Sequence, residues 1–458
     1  MSGTRPDYDV LIIGGGITGS ALLYVLSRYT TIPRIVLLEK YPKLAQVNSH
    51  KNSNSQTLHF GDIETNYSLA KATTVKAAAE LVANYVEQKE KEKNKEGLFA
   101  KTHKMVLAVG EKEIKALEQR YEEIKHLFPE LRKIGREGIA QLEPKIVEER
   151  DPAVPLLALC SPHGYAINFS ALAESFVQEA QKRQGIEIML GKKVKSIIKE
   201  GISKENHHHP QQDPQNTFYT IALEDRQITA SVIVVAAGAH CLIFGQKLGY
   251  GKVYGILPIG GGFYCTRNVL NGKVYTMQTP SLPFAAVHGD PDVENPEETR
   301  FGPTGKALPY LEKSRWQTFP DFLKTSAWSL AGVQSLAKVT FTPVILRYIL
   351  RNFSYDLPVL GKYFYLRDAR KIIPSLKYRQ LRFDPAIGGI RPQLVNIKEK
   401  KLEMGEAKIL GDRIIFNITP SPGASVCLKN AEVDARKVLH FLNGKYVFNE
   451  KSFQKVFS

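Results

Sequence analysis

Asp7-Tyr-Asp-Val-Leu-Ile-Ile-Gly14-Gly15-Gly16-Ile17-Thr18-Gly19-Ser20 runs into a helical stretch and then into Ile35-Val-Leu-Leu-Glu39-Lys40. This is a buried strand, a Gly14-x-Gly16-x-x-Gly19 turn, a helix and a second strand that ends in an acid. Each glycine has its own task. Gly14 permits the tight turn, Gly16 lets backbone N–H groups approach a pyrophosphate, and Gly19 lets the helix pack close on the strand. Phosphates then sit at a helix N-terminus, where open N–H groups and the dipole favour negative charge. Glu39 stands 20 residues after Gly19, placed to accept hydrogen bonds from a ribose diol, with Lys40 beside it. The stretch predicts an α/β unit that binds a dinucleotide through Gly14, Gly15, Gly16, Ile17, Thr18, Gly19, Glu39 and Lys40.

The chain has 458 residues, 43% apolar and 24% charged, enough for a large core in two interleaved domains and too apolar for wholesale disorder. A net charge of +16 favours anionic partners. Cys160, Cys241, Cys265 and Cys427 are scattered without a CxxC pair, as for buried thiols in a reducing compartment. The apolar run Val10–Leu26 carries four glycines and lacks a basic flank and a cleavage site, so it belongs to the nucleotide turn and not to a signal or an anchor. No other 18-residue apolar run occurs. The expected location is cytoplasmic, or peripheral on the inner face of the cytoplasmic membrane.

Downstream, a polar loop at 46–57 leads into Leu58-His59-Phe60-Gly61, and helices are predicted at 67–92 and 111–126 around a strand at Lys104–Val109. The charge run Glu87–Glu96 reads as a solvated helix end. Asn168 caps a helix, and strands are expected at Ile186–Leu190, Lys193–Ile197, Phe218–Leu223 and Ser231–Val235. The segment Lys204–Asn216, with His207–His209, reads as a mobile polar loop. From there to about residue 310, apolar stretches between Gly and Pro suggest an antiparallel sheet. Strands around Ile387–Arg391 and Arg413–Asn417 precede Ser421-Pro-Gly-Ala-Ser425, which opens a last helix.

Nucleotide-domain signals therefore recur along the chain. Val194 falls in a short strand of the type that contacts an adenine; Ala237 and Gly238 end a buried strand; and Gly423, Ala424 and Ser425 form a small-residue turn. Small residues at all these places let the backbone approach one long cofactor, which favours FAD over NAD. The expected architecture is α/β (α+β overall), a Rossmann-like FAD-binding domain interleaved with an antiparallel-sheet substrate domain. Residues 1–80, 160–245 and 385–458 form the first; 81–159 and 246–384 form the second.

With these motifs the chain resembles the FAD-dependent D-amino-acid oxidase superfamily, and within it malate:quinone oxidoreductases and their relative L-2-hydroxyglutarate dehydrogenase. The resemblance rests on the amino-terminal fingerprint, Asn48-Ser49, Leu58-His59-Phe60, Glu64-Thr-Asn66-Tyr67, Tyr165-Ala-Ile-Asn168-Phe, Ala236-Ala-Gly238 and Pro283–His288. It continues through Phe301-Gly-Pro303, Gly389-Ile-Arg391-Pro-Gln393 and Ser421–Ser425. It implies that the loop carrying Ser53, Asn54, Thr57 and Leu58 lies near the isoalloxazine, with Gly389 also at the cofactor. The loop before His59 departs from the usual malate-enzyme sequence, and residues 313–382 match no family pattern.

The implied reaction is oxidation of a small 2-hydroxy acid, malate first among them, by hydride transfer to flavin, with electrons passed to a quinone. Such chemistry needs a cation for the carboxylate, a base for the hydroxyl proton and a hydride acceptor. Arg391 is the first candidate for the carboxylate, because its planar fork matches one bidentately, and Arg300 is the second. His59 and His288 compete for the base. The remaining histidines show no metal-ligand spacing, so no metal is expected. An FAD-dependent amino-acid or amine oxidase and a non-catalytic flavin-fold protein are the alternatives.

Residues 313–382 are helical and basic, with 13 Lys/Arg against 3 Asp/Glu, and carry Trp316, Trp328, Phe341, Tyr348, Phe353, Tyr363, Phe364 and Tyr365. Rings and cations together suit an anionic membrane surface, where a quinone resides. No nucleic-acid motif accompanies the charge, and no nucleic-acid partner is expected.

Overall fold

Alternate side chains of the strand Tyr8–Ile13 feed two separate cores. Val10 and Ile12 join one with the helices Ile17–Tyr29, Phe169–Gln181 and Cys427–Phe441; Leu11 and Ile13 join another on the opposite face. A strand buried on both faces has no use for polar alternation, which is why the run is continuously apolar. In the computed structural model, residues 5–92, 97–200, 217–278, 286–326, 329–403, 406–420 and 422–457 are described. The expected loop Lys204–Asn216 with His207–His209, residues 283–285, Trp328 and Ser421 lie outside them.

The first sheet runs Ala407–Gly411, Ile414–Ile418, Gln227–Val235, Tyr8–Ile13, Ile35–Leu38, Ile186–Met189, parallel from Ile414–Ile418 onward. The hairpin of Ser196–Glu200 and Phe218–Ala222 extends from Gln227–Val235. Tight packing sets the fingerprint. A Cβ on Gly19 would lie 2.0 Å from the Gly14 carbonyl oxygen, and Gly14 itself holds φ +112 against the Ala236 carbonyl.

The second sheet runs Arg382–Asp384, Phe263–Arg267, Glu298–Gly302, His288–Pro291, Lys273–Thr276, Phe99–Val109, Leu156–Ile167, Arg132–Gly135. It is antiparallel as expected except at one joint, where Lys273–Thr276 pairs parallel with Phe99–Val109. One of its faces is apolar, with Met105, Val274, Tyr264 and Phe301 in a common core. The other carries buried charge. Lys104 Nζ donates to Asp62 Oδ1 at 2.7 Å, and Lys273 Nζ donates to Ser55 O at 2.9 Å and Asp290 Oδ1 at 3.2 Å. Both lysines are fully buried, so these bonds fasten the segment 55–62 to the sheet; removing one partner of such a pair costs about 3–5 kcal/mol.

A smaller antiparallel sheet of Lys306–Ala307, Tyr254–Gly260, Ile390–Asn396 and Lys401–Leu402 joins the two. The helices Phe319–Ser326, Leu330–Thr340, Pro343–Ser354 and Leu360–Ala369 occupy the basic segment. Val339, Leu336, Ile345 and Tyr348 pack on Leu257, Ile259 and Val395 of the small sheet, while Tyr365 stacks on Tyr264 at 4.2 Å.

Three expectations on local structure are corrected. Val194 lies ahead of its strand, which starts at Ser196, because the backbone at 192–195 is irregular, with Lys192 N–H bonded to Glu39 O and Lys195 N–H to Ala222 O. The strand expected at Ile387–Arg391 starts at Ile390, because Gly388 at φ +114 makes a turn. Cys427–Phe441 is followed by one more helix, Glu450–Phe457, whose Phe453 packs on Tyr29. The four cysteines are buried and unpaired, and burial pushes their thiols up to about 11 for Cys160 and about 12 for the others.

Candidate functional site

A cavity of about 640 Å³ follows the carboxyl end of the first sheet and passes under the small sheet. Its first end is built on the fingerprint. Gly14, Gly16, Ile17 and Thr18 line it, while Gly15 and Gly19 stand behind the wall and shape it. The helix Ile17–Tyr29 starts at Gly16 with no side-chain cap, so its first turn presents N–H groups toward the cavity. Ile17 N–H donates to Ser49 Oγ at 2.9 Å, which brings the loop 46–57 over the turn. Glu39 is held by two backbone donors, Gly15 N–H at 2.7 Å and Tyr41 N–H at 2.9 Å. Each of its oxygens keeps a further lone pair for a ribose hydroxyl. Val194, Ala237 and Gly238 complete this end.

Lys40 also lines this end and forms an ion pair with Glu312, which also accepts from Tyr41 Oη. His240 Nδ1 lies 3.7 Å from Glu312 and its Nε2 3.5 Å from Asp321, while the Arg315 guanidinium covers the Tyr41 ring at 4.3 Å. Burial works against the charge of Glu312, but Lys40, Tyr41 and His240 hold its carboxyl below the usual range. Glu312, Arg315 and Asp321 thus form a strap across the first end of the cavity.

At the second end the loop and the turn 388–391 clasp each other. Asn48 Nδ2 donates to Ile390 O at 2.7 Å and Asn48 Oδ1 accepts from Ile390 N–H at 3.1 Å. A Cβ on Gly389 would lie 2.4 Å from Ser53 O, so the close approach requires glycine. Ser53, Asn54, Thr57, Gly389, Gly423, Ala424 and Ser425 line this end; Leu58 is buried behind it.

His59 lines the cavity, its backbone N–H donating to Ser425 Oγ at 2.9 Å. Its Nδ1 lies 2.6 Å from Glu64 Oε1. Burial alone would raise the Glu64 carboxyl; the bond and charge of His59, with Lys104 behind, bring it below its ordinary value. A carboxylate there accepts a hydrogen bond from Nδ1–H and so fixes the tautomer in which Nε2 is the basic nitrogen. Arg391 also lines the cavity, opposite Ile259 in the register of the small sheet. Burial lowers the guanidinium, and the groups acting against that are the phenols of Tyr348, Tyr275 and Tyr67. No carboxylate among the described residues pairs with it.

His288 and Arg300 are placed elsewhere. Both are buried on the charged face of the second sheet and neither lines the cavity. His288 stacks on Tyr275 at 4.5 Å with Nδ1 2.5 Å from Asp290 Oδ2. Arg300 is ion-paired with Asp292, and its Nη2 lies 3.3 Å from Asn52 Oδ1. His59 and Arg391 thus line the cavity and His288 and Arg300 do not, with the Tyr275 ring standing between His288 and His59. Ser49, Glu64, Tyr275 and Glu312 were not expected at the site. Glu64 carried a signal, an acid five residues after a candidate histidine, whereas Glu312 acts across 272 residues and left none.

The wall fits FAD. Backbone donors and small residues lie at the first end, a polar glycine-bordered wall at the second, and the cavity between is continuous. The chain thus has the fold and site of an FAD-dependent oxidoreductase of the D-amino-acid oxidase superfamily. The L-α-glycerophosphate oxidase of Mycoplasma pneumoniae, solved with FAD bound, shares this fold at a TM-score of 0.64 and 18% identity, covering 96% of each chain. The malate:quinone oxidoreductase (Mqo) family model matches residues 6–429, and the chain belongs to that family. The malate:quinone oxidoreductase of Helicobacter pylori is 37% identical over 96% of each chain. Human mitochondrial L-2-hydroxyglutarate dehydrogenase is 25% identical over 93% of this chain and 87% of its own.

Glu312→Ala strands Lys40 and opens the strap. FAD should dissociate about tenfold faster on dilution, the equivalent of about 1.4 kcal/mol, read as the rise of free-flavin fluorescence. An unchanged release rate would show that the strap does not retain the cofactor.

Proposed function

We infer that this chain oxidises L-malate to oxaloacetate and passes the electrons to a quinone. The observation that carries the reading is Arg391, a cation in the cavity wall without a carboxylate partner. Leaving a guanidinium unpaired in a buried wall is costly, and an anionic substrate removes the cost. A bidentate bond to the C1 carboxylate fixes which face of C2 is presented. His59 Nε2 is the base for the C2 hydroxyl, since Glu64 holds Nδ1 and stabilises the ring once it is protonated. When bound, FAD supplies the hydride acceptor. The balance is simple: the C2 hydrogen leaves with its electron pair, the hydroxyl proton goes to His59, and the C2–O bond becomes a carbonyl. His288 and Arg300, each matched by an aspartate, hold the sheet under the loop in this reading.

The quinone places the protein at a membrane, and the helical segment suits that contact. Of 23 large apolar side chains exposed among the described residues, 15 lie between Trp316 and Tyr378. Leu350, Phe353 and Val344 of the helix Pro343–Ser354 are among them, with Phe341 just before it and Tyr363 and Phe364 on the next helix. No described helix is long and apolar enough to cross a membrane. The occupant proposed is an anionic bilayer, with rings at headgroup depth and each surface Lys or Arg adding about 1 kcal/mol. The protein is then peripheral, on the inner face of the cytoplasmic membrane.

Arg391→Met should raise KM for L-malate and lower kcat/KM at least about 100-fold, as expected for a lost charge-assisted pair, with a quinone analogue as acceptor. His59→Asn should lower kcat by about 10²–10⁴ with little change in KM. Unchanged kinetics for either would remove that residue from the site. The protein should float with phosphatidylglycerol vesicles at low salt, and Leu350→Glu with Phe353→Glu should abolish flotation without loss of bound flavin. Failure of the native protein to float would contradict the membrane surface.

A further inference from the structure

We propose that Tyr348, carried by the basic helical segment, is a positioning residue that fixes Arg391 for its substrate, so that this segment completes the substrate site as well as covering it. The inference rests on the reading of Arg391 as the carboxylate ligand. Three observations lead to it. Tyr348 packs in the cluster of Leu257, Ile259 and Val395, on the face of the small sheet that the helices cover. Ile259 is the register partner of Arg391, and directly opposed residues project from the same face. The segment therefore lies over the guanidinium.

The Tyr348 hydroxyl also touches the cavity wall from behind. A Cβ added to Gly305, which lines the cavity with Arg391, would lie 2.1 Å from Tyr348 Oη. Asn352, one turn further along the helix, holds the two together: its Oδ1 accepts from Gly305 N–H at 2.6 Å and its Nδ2 donates to Tyr348 O at 2.8 Å. Burial pushes the phenol up to about 12 while Arg391 pulls it down, so it remains neutral at ordinary pH. A neutral hydroxyl orients a guanidinium without cancelling its charge. An aspartate or glutamate at this place would satisfy Arg391 and leave nothing for the substrate.

The test uses holoenzyme. Tyr348→Phe keeps the ring and removes the hydroxyl; it should raise KM for L-malate about tenfold while kcat changes less than about twofold, the size expected when one hydrogen bond to a charged group is lost. The Kd of oxaloacetate, read from its perturbation of the flavin spectrum, should weaken by the same factor. In an Arg391→Lys background Tyr348→Phe should add less than about twofold, since both act on one carboxylate. Gly305→Ala displaces the hydroxyl and keeps it, and should reproduce the KM effect; it carries the test if Tyr348→Phe loses flavin. Native KM and Kd in Tyr348→Phe, with Arg391→Met impaired, would overturn this proposal alone. Native KM in Arg391→Met would overturn the reading beneath it as well.

Discussion

An arginine held in a buried wall without a carboxylate is the constraint around which the second half of the cavity is built. Arg391 follows the Gly388-Gly389 turn, and that turn is fixed by the amide of Asn48 pairing with both backbone groups of Ile390. The loop that carries Asn48 is fixed in turn by Ser49 on the fingerprint helix and by Lys273 on the second sheet. The cation, the cofactor loop and the nucleotide turn are therefore one connected structure. The groups that act on its charge are the phenols of Tyr348, Tyr275 and Tyr67, while Glu64 is committed to His59, Asp290 to Lys273 and His288, and Asp292 to Arg300.

The nucleotide half was legible because its signals are local. Strand, turn, helix and acid lie within 34 residues, and each is dictated by neighbours in the chain. The second sheet was legible as strands but not in its pairing. Lys273–Thr276 meets Phe99–Val109 across about 170 residues, and no pattern inside either strand encodes a parallel partner. Lys104 and Lys273 likewise take their partners from elsewhere in the chain. A lysine in a strand reads as a solvent-facing position, yet both are fully buried against a loop that supplies their partners.

At the site, the sequence offered two competing histidines and two arginines, Arg391 ranked ahead of Arg300. What separates them is the neighbour each meets in space. His59 meets an acid and opens to the cavity; His288 meets an acid and is enclosed by Tyr275 and Phe263. Arg300 faces Asp290 across the strand pair and is ion-paired with Asp292, whereas Arg391 faces Ile259. Cross-strand register, which the sequence does not display, sets an acid opposite Arg300 and an apolar side chain opposite Arg391. The helical segment shows the same limit. Its composition announced rings and cations at a surface, while the inward face, with Tyr348 and Asn352 against Gly305, emerged only from packing.

A cavity that takes L-malate by its carboxylate, with the C2 hydrogen leaving together with its electron pair, must let malate alone reduce the flavin. Anaerobic stopped-flow mixing of the FAD-loaded protein with L-malate, beside L-malate deuterated at C2, is the decisive measurement. The oxidised-flavin absorbance should bleach, and deuterium should slow the bleaching severalfold. A flavin that keeps its absorbance in excess malate, or bleaching indifferent to deuterium in the chemical step, would contradict it.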